Sequence, residues 1–392
     1  MKGTAGPIAP VALSATEVIE LVPKAELHVH LPGCVRPGTL EELSRRHGVG
    51  LPLPAHELYG RVNSAPALDE VDRGPWFPLL RVYELICRCL RTADDFARVA
   101  YEALVDAHRS SNVVHQELSF SPTVHMADGV RYRDMVDGLV AGLEAARRDH
   151  GLSGVLIAAV NREDSPAVAL DMVETVVAHR VDEVVGIGLD FDERKGAPEL
   201  FAEAFALAGR HGLHRTAHAG EHVPGPAGAA NVRTCVELLG CERVDHGYYV
   251  LEGPEVVPWA RDRGLAFDVA FTTSRRALRP WRLASVREML RQGLRVNVSS
   301  DDPALFPTTL GRELALARDE LGLGAEEIFA LVTNAVEASF LGPDQKKSLL
   351  ARAELVARGD GSPPGPGAGR PVPGEGPDGP TAPGGAGSGP PP

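Results

Sequence analysis

Eight short β-rich runs recur along this chain, each separated from the next by a stretch with helical periodicity, and that alternation restricts the possible folds more than any other feature. The runs are residues 25–30, 113–121, 155–160, 184–190, 214–219, 243–246, 265–271 and 295–300. Between them, apolar residues return at helical spacing, as in Leu200, Phe201, Ala204, Phe205 and Ala208, or Val168, Met172, Val173 and Val176. Helix boundaries are marked as well. Asp164-Ser165-Pro166 opens one helix, Gly212 closes the next, and Gly264 and Gly293 stand where helices must stop before strands begin. Eight strands alternating with helices predict an α/β fold, a (β/α)8 TIM barrel, with a doubly wound open sheet as the rival topology. Residues 31–111 are too long for a simple connection, and their helical stretches predict an insertion after strand 1 that caps the barrel mouth.

At 392 residues and 44% hydrophobic the chain can bury a large core. Residues 1–358 read as a single barrel domain, whereas 359–392 are nearly all Gly, Pro, Ala and Ser, a composition that predicts a disordered tail. A net charge of −13 disfavours nucleic acid and anionic membrane as partners. No run is apolar enough to cross a bilayer, and no secretory leader is evident, so a cytoplasmic location is predicted. The five cysteines lack doubled C-x-x-C spacing and read as reduced thiols.

Four groups at the ends of these runs could carry chemistry. His28-Val29-His30 ends the first, where a period of two points both imidazoles to one face; taken alone, the pair is equally two polar strand-end residues. His218-Ala219-Gly220-Glu221 ends the fifth and offers an imidazole and a carboxylate at one rim, or a polar surface loop. His246 ends the sixth, as a functional group or as a satisfied strand-end histidine. Asp301-Asp302-Pro303 follows the eighth, where two adjacent acids bind something positive or simply open a helix. All four fall at the C-terminal ends of parallel strands, the face on which barrel enzymes place their sites. Three imidazoles and one carboxylate suit zinc and leave Glu221, His246 and Asp302 for proton transfers.

With these motifs in view, the chain resembles the adenosine deaminase family, including its adenine deaminase branch, across residues 22–350. Pro23-Lys24-Ala25-Glu26-Leu27-His28-Val29-His30 is similar to the family's opening signature; His218-Ala219-Gly220-Glu221, Asp245-His246-Gly247 and Ser300-Asp301-Asp302-Pro303 are similar to the later ones in order and spacing. The resemblance implies one Zn2+ per chain held by His28, His30, His218 and Asp301. It implies that His246 and Asp302 orient and deprotonate a water, and that Glu221 protonates the ring nitrogen beside the amine-bearing carbon of an aminopurine. The implied activity is hydrolytic deamination of an adenine-type purine to the 6-oxo product and ammonia.

The substrate-binding positions depart from the family. Pro32 stands where nucleoside deaminases carry an acid that meets the ribose, and Phe191 stands where they carry a glycine in Leu-Ala-Gly-Asp-Glu. The adenine deaminase branch has Ser-Ser-Glu where this chain has Phe191-Asp192-Glu193, and Ala270-Phe271-Thr272-Thr273-Ser274 replaces the family's Cys-Pro-x-Ser-Asn. Adenosine is the default substrate; free adenine, a nucleotide, and a modified adenine nucleoside such as aminodeoxyfutalosine are alternatives. A metal-dependent amidase, lactonase or phosphoesterase on a related barrel is a rival. Such enzymes often bridge two metals with a mid-barrel lysine, and the only lysine between Lys24 and Lys346 is Lys195, in a predicted loop. A non-catalytic zinc-binding barrel is the third reading, and it leaves Glu221 and His246 without a purpose.

Overall fold

A computed structural model of the chain describes residues 11–64, 79–272 and 279–360. Of the tail predicted from Gly359 onward, residues 361–392 lie outside the described ones, as do Thr273 and Ser274.

Among the described residues nine strand segments form: β1 (Lys24–His30), β2 (Val113–Phe120), β3 (Ser153–Asn161), β4 (Val184–Asp190), β5 (His214–Arg215), β6 (His218–Ala219), β7 (Arg243–His246), β8 (Ala266–Val269) and β9 (Arg295–Val298). Every pairing is parallel, β1 through β5 in one ladder and β6 through β9 in a second. Because helices cover the sheet, the strands are buried nearly throughout; β3 and β4 read as apolar runs, whereas β1, β2 and β7 carry buried polar side chains.

The run at 214–219, predicted as one strand, is divided. Its first half pairs with β4 and its second with β7, and the chain changes neighbours at Thr216 and Ala217. Those two residues remain bonded on either side, with the Thr216 amide donating to the Ile187 carbonyl at 3.1 Å and the Ala217 carbonyl accepting from the Asp245 amide at 2.9 Å. The far end of the second ladder returns to β1. The His30 amide donates to the Asp301 carbonyl at 2.9 Å, and the Asp301 amide to the His28 carbonyl at 3.1 Å. The architecture is the (β/α)8 barrel.

After β1 the chain enters the short 3-10 turn Leu31–Cys34 and then the helices Pro37–His47, Ala55–Ser64 and Leu79–Cys89 before the long helix Ala93–Ser111 leads into β2. This is the helical insertion, and it reaches the C-terminal rim, where the Tyr83 ring lies 6.5 Å from that of His30. All five cysteines are buried and free. No helix among the described residues is long and apolar enough to cross a membrane.

Candidate metal centre

The period of two in β1 brings the His28 and His30 side chains to one point, and His218 arrives there from β6. The three Nε2 atoms form a triangle with sides of 3.2, 3.2 and 3.3 Å. Asp301, held beside β1 by the bonds described above, places Oδ1 3.4 Å from His28 Nε2 and 3.2 Å from His30 Nε2. Ligands about 2.0–2.1 Å from a tetrahedral zinc stand about 3.3–3.4 Å from one another. These five edges match that figure, the four ligand atoms all lie within 4.8 Å of one another, and all four residues are buried. Three imidazole nitrogens and a carboxylate oxygen crowded together in this way need a shared cation, so the donor set fits zinc.

Carboxylates stand close to the remaining ring nitrogens of His30 and His218. Asp190, the last residue of β4, lies 3.3 Å from His30 Nδ1 through Oδ2 and 3.4 Å from His218 Nδ1 through Oδ1, so one carboxylate serves two rings. Asp245 stands 3.6 Å from His218 Nδ1 on the other side and accepts the Thr216 hydroxyl at 3.0 Å. Asp268 lies beneath, accepting Asn297 Nδ2 at 2.6 Å and the Ser299 hydroxyl at 3.1 Å. Burial, reinforced by Asp245, pushes the Asp268 carboxyl up to about 7.

His246 adjoins this cluster, with its ring centroid 4.7 Å from those of His28 and His218. The Tyr248 hydroxyl donates its single proton to the Ala270 carbonyl at 2.6 Å and accepts the Ala270 amide at 3.1 Å. It therefore faces His246 Nδ1, 3.4 Å away, as an acceptor. That places the imidazole proton on Nδ1 and leaves Nε2 bare, 3.4 Å from Glu221 Oε2. Burial, with the charges of His28 and His218, holds the imidazole well below its usual range and hence neutral.

Glu221 belongs to a sharp turn fixed by a residue that the sequence reading passed over. The Glu193 carboxylate accepts the backbone amides of Gly220, Glu221, His222 and Val223 at 2.8, 2.9, 2.8 and 3.2 Å, and Asn231 Nδ2 at 2.9 Å. Asp302 is brought to the same rim. Burial first, then the neighbouring Asp301 carboxylate, pushes its carboxyl up to about 8. Gly33 allows this approach, because a Cβ there would stand 2.1 Å from Asp302 Oδ1. Pro32, in the same turn, is buried and offers no side-chain hydrogen bond.

Among the described residues, three non-glycine residues at this rim hold left-handed backbone conformations: Phe191 (φ 71°), His246 (φ 73°) and Asp301 (φ 63°). Such strain gathers at sites where side chains must be aimed against the preference of the backbone. At Phe191 the glycine-like geometry is kept and a benzyl group is added, its ring edge-on to Tyr83 with centroids 5.8 Å apart. Lys195 is distant from mid-barrel chemistry; it is exposed and paired with Glu163 at 2.6 Å.

Asp190, Glu193 and Arg282 are the contributors that sequence reasoning missed. An acid at the end of the β4 run was a usable signal for Asp190. For Glu193 the signal was the glutamate that closes both family patterns compared with this stretch; for Arg282 none existed, since it lies in an arginine-rich stretch where only burial distinguishes it.

Residues 23–355 match the family described as adenosine deaminase. An adenine deaminase of Ralstonia pickettii is 33% identical over 88% of this chain and 98% of its own length. Among solved structures, an amidohydrolase from Burkholderia ambifaria with bound Zn is 32% identical with a TM-score of 0.78, covering 90% of this chain and 95% of that one. The adenine deaminase from Arthrobacter aurescens is 29% identical with a TM-score of 0.76, covering 85% and 98%.

Proposed function

The chain belongs to the adenosine deaminase family, and from that premise we propose that it is a zinc-dependent aminohydrolase that converts an adenine-type purine and water to the 6-oxo purine and ammonia. The observation that carries this reading is the convergent His28, His30, His218 and Asp301 donor set with Glu221 and His246 beside it. One zinc per chain supplies the Lewis acidity that makes water a competent nucleophile near neutral pH. His246, neutral with Nε2 bare, orients that water and carries one of its two protons to the departing amine; Asp302 shares in holding it. Glu221 delivers a proton to the ring nitrogen beside the amine-bearing carbon, so the ring gives up its aromaticity as the water oxygen adds.

The substrate is a small-molecule aminopurine, with neither nucleic acid nor membrane as a partner, and we place the reaction in the cytoplasm. Pro32 gives a ribose hydroxyl no acceptor, and Phe191 with Tyr83 puts an aromatic wall beside His30. Those features, with curated relatives named adenine deaminase, favour recognition through the purine ring itself. A modified adenine nucleoside whose sugar side is apolar is the second reading, supported by the same aromatic wall. Glu221→Gln tests the assignment. Turnover falls by about 10²–10⁴-fold while bound zinc stays at one per chain; unchanged turnover would remove Glu221 from the proton path.

A further inference from the structure

Glu221 has a partner that the proposed reaction does not use. Arg282, from the helix Arg279–Arg291, is 1% exposed and donates through Nη2 to Glu221 Oε1 at 2.7 Å. Its guanidinium carbon lies 4.6 Å from the centroid of the Tyr248 ring, and Nη1 donates to the Ala270 carbonyl at 3.3 Å. The other carboxylate oxygen, Oε2, faces two imidazoles, His222 Nδ1 at 3.1 Å and His246 Nε2 at 3.4 Å. Among the described residues these are the charged and titratable groups that meet Glu221: Arg282 from the helix, His246 from β7, and His222 from its own turn. Against the effect of burial, His222 and the Arg282 guanidinium hold the carboxyl well below the usual range.

A carboxyl group that enters the cycle protonated can give its proton directly to a ring nitrogen. One gripped by a buried guanidinium resists taking up a proton, because the neutral acid would give up its charge-assisted bond to the arginine. The proton must come from elsewhere, and the water consumed in the reaction has one to give.

We propose that Arg282 is a positioning residue for this reaction: it holds Glu221 through Oε1 as a carboxylate at rest, so that Oε2 first accepts the proton released by the attacking water and then passes it to the ring. The inference rests on the deaminase reading given above. The steps balance. An O–H bond of water breaks, its proton goes to Glu221 Oε2, and the oxygen's electron pair forms the bond to the amine-bearing carbon. Glu221 then gives that proton to the ring nitrogen, which takes up the electron pair of the ring C=N bond. The remaining hydroxyl proton moves to the amine, the C–N bond breaks, and ammonia leaves the 6-oxo ring.

The relay and a pre-protonated acid give opposite signs for one substitution. If Glu221 works from its ionised form, Arg282→Met raises the pH at which it takes up a proton. The acid limb of kcat/KM then moves up by about one pH unit or more, with about a tenfold loss or greater on that limb. If Glu221 works as a pre-formed acid, removing the guanidinium increases its protonated fraction and activity at neutral pH rises. Arg282→Lys, which keeps the charge and loses the fork, falls between wild type and Arg282→Met.

A direct reading comes from 13C NMR of zinc-loaded protein labelled at glutamate carboxyl carbons, with the Glu221 resonance assigned by its loss in Glu221→Gln. The expected result is a wild-type resonance that stays ionised across the pH range of folded protein and titrates at higher pH in Arg282→Met. A neutral Glu221 in the wild type overturns the proposal, as does a titration unchanged in both variants or a faster Arg282→Met enzyme at neutral pH. The carboxyl titration decides the clamp even if no purine is turned over, so its failure is distinguishable from failure of the deaminase reading. Should Arg282→Met not fold, the wild-type titration and Arg282→Lys still decide it.

Discussion

At Phe191 two demands meet in one residue: its backbone holds φ at 71°, a conformation natural to glycine, while its ring packs edge-on against Tyr83. Replacement by glycine relieves about 1–2 kcal/mol of backbone strain and forfeits an aromatic contact of about 0.5–1.5 kcal/mol. The melting temperature of Phe191→Gly should therefore move little. Selectivity should move more, with KM for nucleosides falling relative to KM for free adenine; an unchanged ratio would show that the ring does not line the sugar side. Glu193→Gln should lower kcat with zinc content retained, because the amide side chain keeps only one acceptor oxygen for the five donors now converging on the carboxylate. The two histidines of β1 were legible in the sequence because residue type and a period of two sufficed to bring them together. The roles of Glu193 and Arg282 were not, since they depend on a folded turn and on a helix arriving from sixty residues away.

At the scale of elements, the strand runs were legible to within about two residues, as apolar β-branched segments bounded by glycine should be. The break in the fifth run was not, because it reflects which neighbour each half pairs with rather than any preference of Thr216 or Ala217. The lower barrel carries a polar tie of its own. Arg243, at the start of β7, donates to Glu117 Oε2 of β2 at 2.6 Å and to the Leu27 carbonyl of β1 at 3.1 Å, all of it buried. Arg243→Met leaves the Glu117 carboxylate buried without its counter-charge. The expected loss is about 3–5 kcal/mol, read as a lower urea midpoint. A midpoint shift below a quarter of that would mean that Glu117 finds compensation elsewhere.

For the whole molecule, the donor set joins β1, β6 and the segment after β9, elements widely separated in the chain that meet only in the folded barrel. A metal that binds this native constellation alone stabilises it by mass action, by about 4 kcal/mol at a free concentration 1,000-fold above Kd. Chelation should lower Tm by several degrees and zinc should restore it. The central claim is tested most directly by ammonia release from zinc-loaded protein offered adenine, adenosine, AMP and 5′-modified adenosines, with the purine product identified in parallel. The account predicts that at least one is turned over, with one ammonia per 6-oxo product, and that the reaction stops on chelation and in Glu221→Gln. Stoichiometric zinc with no ammonia from any of these adenine derivatives would contradict it.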